Sequence, residues 1–500
     1  MDDFLSLSDS LEEVKRLQLK GRYSEALQIL ANYWSTLRED QRLERTECLN
    51  QESQCLWCTT RLAEAEIRAR KALELAQQNP PYLSGQGDAF HNLGAIFLRQ
   101  GKLDQAEQSY QRSLSLRQKI GTPDPIAHTL NNLGLVYWRT SKLDKAEDLF
   151  RESLSLWQKL NNPQMVARSL GNLGNVYFHR GMIRKSKEYL ERSLVLFEET
   201  GNPQGLALTL LNLGNICAQR GELERAEESL QRSRKLFDKI GNPRQKSIAL
   251  INLGIVHFKK GELDQAEKDF KQSLALREEI GDLQAIASTR YQLLRLLVAK
   301  GSLEEATEQI DEIAQSVDNT QLPDVEVMFH LSVGLLKSKQ HELTTALNHS
   351  SQAKKQAGEI PHFALLVDAS YLLVQNLLQL YLLTKENEYK IQVESLLSEL
   401  ESLCKREQLH DTFVETTLMQ GFLKRAMFDL PEAIEAFERA ELLAQEQGIL
   451  PLTQKARREL IHTQDQIEML QRLRELSPKA YEKAQIDGLL SYLHEIHDSR

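Results

Sequence analysis

The chain predicts an all-α superhelical solenoid, and three observations carry that prediction. Asn-Leu-Gly occurs at residues 92–94, 132–134, 172–174, 212–214 and 252–254, five times at a spacing of forty residues. Within each forty-residue unit the apolar residues recur at helical spacing. Glycine and proline punctuate the units at fixed places. A period this regular identifies one supersecondary element that stacks on its neighbours. Five hundred residues then need not mean several globular domains, because each unit touches only the next.

The five clear units begin at Gly87, Ala127, Ala167, Ala207 and Ser247. Position 4 is Phe90, Leu130, Leu170, Leu210 and Leu250, position 7 is leucine throughout, and position 11 is Phe97, Tyr137, Tyr177, Cys217 and His257. Spacings of three and four residues put these on one buried stripe of a first helix. The invariant glycine at position 8 costs about 1 kcal/mol relative to alanine inside a helix. Its recurrence predicts that another helix approaches too closely there for a side chain. Position 15 (Gly101, Gly181, Gly221, Gly261, with Ser141 as the exception) ends that helix.

A second helix follows. Position 20 is Ala106, Ala146, Ser186, Ala226 and Ala266; position 24 is Tyr110, Phe150, Leu190, Leu230 and Phe270; position 27 is serine in every unit. Small, large and small residues on one face predict tight packing. Pro123, Pro163, Pro203 and Pro243 then separate one unit from the next.

Weaker units extend the array. Gly21 and Ala26 mark one near the start, residues 46–86 read as a degenerate unit, and Ala306, Gly334 and Ala346 keep the forty-residue register. Gly421, Ala433, Phe437 and Ala440 mark a later unit, and residues 364–413 are the least regular part. About ten helix hairpins result, divided as 1–86 (degenerate), 87–286 (regular), 287–453 (degenerate) and 454–500 (C-terminal capping helices). The apolar stripe Ala456, Leu460, Ile467, Leu470 and Leu473 has no loop glycine, as a helix covering the last repeat requires. Pro478 breaks it, and a short amphipathic helix is expected beyond.

Composition narrows function. The chain is 41% hydrophobic and 27% charged, so it can bury a core. A net charge of −9 argues against broad nucleic-acid binding, which depends on neutralising phosphates. No run approaches the eighteen apolar residues of a membrane span, so no membrane insertion is expected. The acidic start lacks the pattern of a signal peptide, and a cytoplasmic protein is expected. Cys55 and Cys58 form a lone C-x-x-C near Cys48, with no second pair to complete a zinc site; these, Cys217 and Cys404 read as ordinary helix thiols. No phosphate loop, G-x-S-x-G or H-E-x-x-H motif is present, so neither an enzyme nor a cofactor is expected. His494 and His497 read as an exposed helix end.

The residues at positions 4, 7, 8, 11, 20, 24 and 27 resemble the tetratricopeptide repeat. The plan is similar to stand-alone multi-repeat proteins of archaea and bacteria, whose closing pattern corresponds to Ala444–Lys455 here. The repeats alone also resemble those of Pins-type spindle-orientation adaptors, which share the N-L-G-N wording. The resemblance implies a right-handed superhelix whose first helices line a concave groove. It also implies that position 6 (Asn92, Asn132, Asn172, Asn212 and Asn252) bonds the backbone of an extended peptide. An amide offers both a donor and an acceptor for that purpose.

Helical spacing adds neighbours to this column. Position 9 contributes Asn175 and Asn215, position 2 contributes His128 and Arg168, and position 13 contributes Arg99, Arg139, His179 and Lys259. The cations favour an acidic or C-terminally carboxylated ligand. They equally fit last-turn cations that offset a helix dipole. The alternative for the asparagines is that they bridge neighbouring helices or merely face water. Trp138, Phe178 and Phe258 at position 12 are either groove anchors or core. The expected function is a non-catalytic adaptor that binds another protein through a linear peptide. A peptide-sensing regulator signalling through its C-terminal half, and a structural subunit of a larger complex, are the alternatives.

Overall fold

The computed structural model describes residues 7–19, 22–320, 322–360, 363–407, 409–447 and 449–476. Gly21, the break at Pro478, the helix expected after it, and His494 and His497 lie outside these residues. All regular structure among the described residues is α-helix, and the fold is a helical-repeat solenoid. Among the described residues, α1 to α8 and α11 to α22 pack as consecutive helix pairs, and α23 packs on α22.

The chain divides into two compact units, residues 1–176 and 177–500. The first holds α1 (Leu7–Leu19), α2 (Tyr23–Thr36), α3 (Arg42–Cys58), α4 (Leu62–Gln77), α5 (Leu83–Arg99), α6 (Leu103–Ile120), α7 (Pro123–Arg139) and α8 (Leu143–Lys159). It also holds most of α9 (Pro163–His179). The second holds α10 (Ile183–Thr200), α11 (Pro203–Gln219), α12 (Leu223–Ile240), α13 (Pro243–Lys260), α14 (Leu263–Ile280), α15 (Leu283–Lys300) and α16 (Leu303–Thr320). It continues with α17 (Pro323–Lys339), α18 (Leu343–Ala357), α19 (Phe363–Thr384), α20 (Asn387–Glu407), α21 (His410–Ala426), α22 (Leu430–Gln447) and α23 (Leu450–Leu476).

The predicted stripe is the core. All five position-7 leucines, position-11 residues, position-24 residues and position-27 serines are buried. Each large apolar side chain removed from water contributes roughly 1.5–3 kcal/mol. The glycine at position 8 has the predicted cause. A Cβ on Gly254 would fall 2.5 Å from Phe270 Cε1, and one on Gly134 would fall 2.7 Å from Phe150 Cε1. The second helix of these hairpins thus lays its position-24 side chain directly on the first.

The position-27 serine has a role that the pattern alone did not reveal. Ser113 Oγ donates to Gly87 O at 2.7 Å, Ser153 to Ala127 O at 3.0 Å, Ser233 to Ala207 O at 2.8 Å and Ser273 to Ser247 O at 2.8 Å. Position 27 therefore bonds the carbonyl of position 1 and ties the two helices of one hairpin. The prolines are first residues of helices rather than terminators alone. Pro203 and Pro243 open α11 and α13, where Asn202 and Asn242 cap the helix by accepting from Gly205 N at 2.8 Å and Gln245 N at 3.1 Å. Proline fits there because the first turn leaves its N–H unused in any case.

The irregular stretch 364–413 is explained by length. Helices α19 and α20 have 22 and 21 residues, against 17 or 18 in the clear repeats, so they break the forty-residue frame. By length and composition Leu365–Thr384 suffices to cross a membrane, although polar residues such as Asp368, Gln375 and Asn376 interrupt its apolar run. More than half of that segment is buried inside the fold. Its Leu373, Val374, Leu377, Leu378 and Leu382 join one cluster with Val393, Leu396 and Leu397, so its apolar character serves the core.

Candidate functional site

The amide column is placed on the first helices as expected, but much of it bonds from one repeat to the next. In the first unit Asn92 is 5% exposed, and its Nδ2 donates to Asn50 O at 2.9 Å. The expectation of a groove-facing amide does not hold for Asn92, because α3 packs over it. Asn132 is half-buried and its amide lies 3.2 Å from His91 Nε2. Asn172 Nδ2 donates to Asn131 Oδ1 at 2.8 Å. Asn172 and Asn175 are half-buried, and so are Asn212, Asn215 and Asn252 in the second unit. These keep part of their surface in water.

Position 13 divides in the same way. Arg139 Nη1 donates to Leu98 O at 3.0 Å, and Lys259 Nζ donates to Ala218 O at 3.3 Å. Each cation therefore caps the carbonyl end of the first helix one repeat earlier, a favourable place for positive charge. Arg99 instead stacks over Trp57, 4.7 Å from the ring centroid. His179 is exposed. Among the position-12 aromatics, Phe178 packs on the cluster of Ile183, Leu190, Leu213 and Ile216, and Phe258 packs on that of Leu294, Leu297 and Ala306. Both lean toward the core.

Several residues combine water contact with crowding by protein, which marks a recess. In the first unit Arg168 is exposed, yet desolvation draws its guanidinium below the ordinary arginine range. His128 is half-buried and its pKa falls to about 4, mainly through desolvation, which outweighs the opposing pull of Asp124, with smaller downward pushes from Arg168 and Arg117. The His128 ring meets Trp157 edge-on at 4.8 Å. In the second unit Lys259 is exposed, and desolvation lowers its ammonium, with Glu415 opposing. Desolvation lowers His179 too. These four are position-2 and position-13 residues of first helices.

The first unit's recess contains residues that the column did not include. His91 holds its pKa well below the usual histidine value through burial and then through Arg117, so it is neutral. Arg117 Nη2 pairs with Asp88 Oδ1 at 2.6 Å, while its Nη1 donates to Thr129 Oγ1 at 2.6 Å and to Pro125 O at 2.9 Å. Burial pushes the Tyr110 hydroxyl above the ordinary tyrosine range. His91 and Asn131 both occupy position 5, immediately before the column, and that adjacency was the available signal. Asp88 satisfies Arg117. Arg168 has no carboxylate within ion-pairing distance among the described residues.

Other chemistry is quiet. Burial raises the Cys48 thiol to about 12 and the Cys55 thiol to about 11, which leaves both protonated and unreactive at neutral pH. An open cleft of about 400 Å³ between α20, α21 and α22 is lined by Glu394, Glu401, Glu432 and Glu435 against Lys424 and Arg439, a net negative lining that disfavours an acidic ligand.

Paired helices, a small-on-large contact at positions 8 and 24, and a polar recess on the first helices define a hairpin-repeat interaction scaffold. The tetratricopeptide repeat family profile matches residues 86–159, 165–239 and 245–313. The chain carries tetratricopeptide repeats over residues 86–313. No curated protein matches it significantly in sequence. Among solved structures it is similar to a Rap protein complexed with competence and sporulation factor, at 13% identity and a TM-score of 0.46 over 85% of this chain and 99% of that one. It is similar to a signal transduction ATPase with a tetratricopeptide repeat sensor from Pyrococcus horikoshii, at 13% identity and a TM-score of 0.49 over 67% and 52% of the two chains. Similarity to BtubC from P. vanneervenii is 22% in sequence with a TM-score of 0.36, over 47% of this chain and 93% of that one.

Proposed function

We propose that the protein is a non-catalytic adaptor whose first-helix recesses bind an extended peptide segment carrying negative charge, from another protein. The observation that carries this reading is Arg168. It is crowded by protein, remains open to water, and has no carboxylate partner among the described residues. A desolvated guanidinium gains most from an anionic acceptor, since a charge-assisted bond in such a setting is about twice as strong as a neutral one. Half-buried Asn172 lies one turn along the same helix, half-buried Asn132 stands on the preceding repeat, and both keep part of their amide surface toward water. Lys259 provides the corresponding cation in the second unit.

Energetics requires several such contacts together. A neutral hydrogen bond nets about 1 kcal/mol, whereas micromolar affinity needs about 8 kcal/mol. The test is fluorescence-anisotropy binding of an arrayed set of acidic peptides, each made with a free C-terminal carboxylate and as the amide, alongside lysine-rich controls. Wild type is expected to prefer acidic peptides, and Arg168→Gln is expected to weaken them at least about tenfold with helical circular dichroism unchanged. Equal binding by acidic and basic peptides, or an unaltered Arg168→Gln profile, overturns the reading.

A further inference from the structure

We infer that Glu227, His257 and Glu262 in the second unit form a binding site for a zinc-type divalent cation. This inference is independent of the peptide recess. His257 occupies position 11, where the first three clear units carry Phe97, Tyr137 and Tyr177. It is 4% exposed, and its Nδ1 donates to Oδ2 of Asp269, itself 3% exposed, at 2.7 Å. A histidine held at Nδ1 by a buried carboxylate has a fixed ring and presents Nε2 outward, which is how metal-ligating histidines are oriented. Here Nε2 lies 3.5 Å from Glu227 Oε1 and 3.9 Å from Glu262 Oε2. The three ligand atoms lie within 4.8 Å of one another. Zinc bonds of about 2.0–2.1 Å in tetrahedral geometry put ligand atoms about 3.3–3.4 Å apart, so the His257–Glu227 pair is already near that spacing and the partly exposed Glu262 side chain must swing inward by about half an ångström to about 1.4 Å to complete the set.

A cation already occupies the neighbourhood. Lys260 Nζ bridges Glu227 Oε2 at 2.8 Å and Glu262 Oε1 at 2.9 Å. Two carboxylates brought together beside a buried imidazole thus require positive charge, and a lysine on a flexible stem supplies it until a metal displaces it.

The repeats provide their own control. At the equivalent places one unit earlier stand Lys187, Cys217 and Glu222, where Lys187 Nζ pairs with Glu222 Oε2 at 2.9 Å and no second carboxylate exists to share an ion. Earlier still stand Glu107, Tyr137 and Lys142, where the Tyr137 hydroxyl donates to Glu107 Oε1 at 3.1 Å. In those sets a lysine neutralises one glutamate. The fifth unit alone of these combines an imidazole with two carboxylates.

The experiment is a titration of EDTA-stripped full-length protein with zinc ions by isothermal calorimetry, with cobalt(II) absorption as a second readout. Wild type is expected to take up one equivalent and to give the intense visible bands of four-coordinate cobalt. Glu262→Gln, at a position 46% exposed and so safe for the fold, is expected to weaken zinc at least about tenfold. Asp269→Asn is expected to weaken it about 10- to 100-fold through loss of ring orientation, and Lys260→Met to tighten it by removing the competing ammonium. Absence of saturable uptake at micromolar zinc, or uptake that Glu262→Gln and His257→Gln both leave unaltered, overturns the proposal.

Discussion

Asn172 Nδ2 donates to Asn131 Oδ1 at 2.8 Å, joining two amides forty-one residues apart. A residue read as a ligand contact is therefore also a strut between successive first helices. Asn172→Ala leaves Asn131 Oδ1 without that donor. The expected cost is about 1 kcal/mol, read as a lower urea midpoint with far-ultraviolet circular dichroism intact. A midpoint equal to that of wild type shows that the bond contributes nothing.

Ser233→Ala deletes the donor to Ala207 O inside a hairpin. Ser233 is fully buried, so the carbonyl has no water to turn to. The expected loss is about 1–3 kcal/mol. Ser233→Thr, which keeps the hydroxyl but adds a methyl to a close-packed site, separates the bond from the packing. Hydrogen exchange of the α11–α12 amides locates the effect.

Ser141 holds φ at 56°, at the place where Gly101, Gly181, Gly221 and Gly261 hold 76°, 68°, 74° and 78°. A side chain in the left-handed region costs about 1–2 kcal/mol. Ser141→Gly is therefore expected to raise stability by about 1 kcal/mol, seen as a higher melting temperature. Gly261→Ala is expected to lower it, and the pair gives opposite signs at equivalent turns.

The folded-state pKa of His128 is depressed to about 4 from 6.5. Between those two pH values the unfolded chain binds the additional proton. Stability due to this group is accordingly full above about pH 6.5 and is lost progressively as pH falls toward 4. His91, also depressed by burial, acts in the same direction. His128→Gln is expected to flatten the acid side of the melting temperature–pH curve, with little change at pH 8. A curve parallel to that of wild type rules out the histidine contribution.

Helix content, repeat frame and core were legible because leucine, glycine and alanine recur where packing permits little else. Gly254 against Phe270 is a contact that the pattern itself announces. The recess was legible only in outline. Helical spacing marks Arg168 and Lys259 on the first-helix stripe, but it could not reveal that Asn92 is covered by α3, since burial there depends on the angle between successive hairpins. His257 was read as a core residue, and it is one. Its partners Glu227, Glu262 and Asp269 lie on other turns and helices, and no local motif connects them. The frame failed over α19 and α20 because length, not composition, changes there.

The hydrogen bonds of the regular repeats recur at fixed offsets. Ser113, Ser153, Ser233 and Ser273 each reach back twenty-six residues, and Arg139 and Lys259 each reach back forty-one. A forty-residue block copied in frame arrives with each of its donors facing a familiar acceptor. Length is thus a heritable variable of this molecule, adjustable by duplication or deletion of whole blocks without any new bonding solution at the seams.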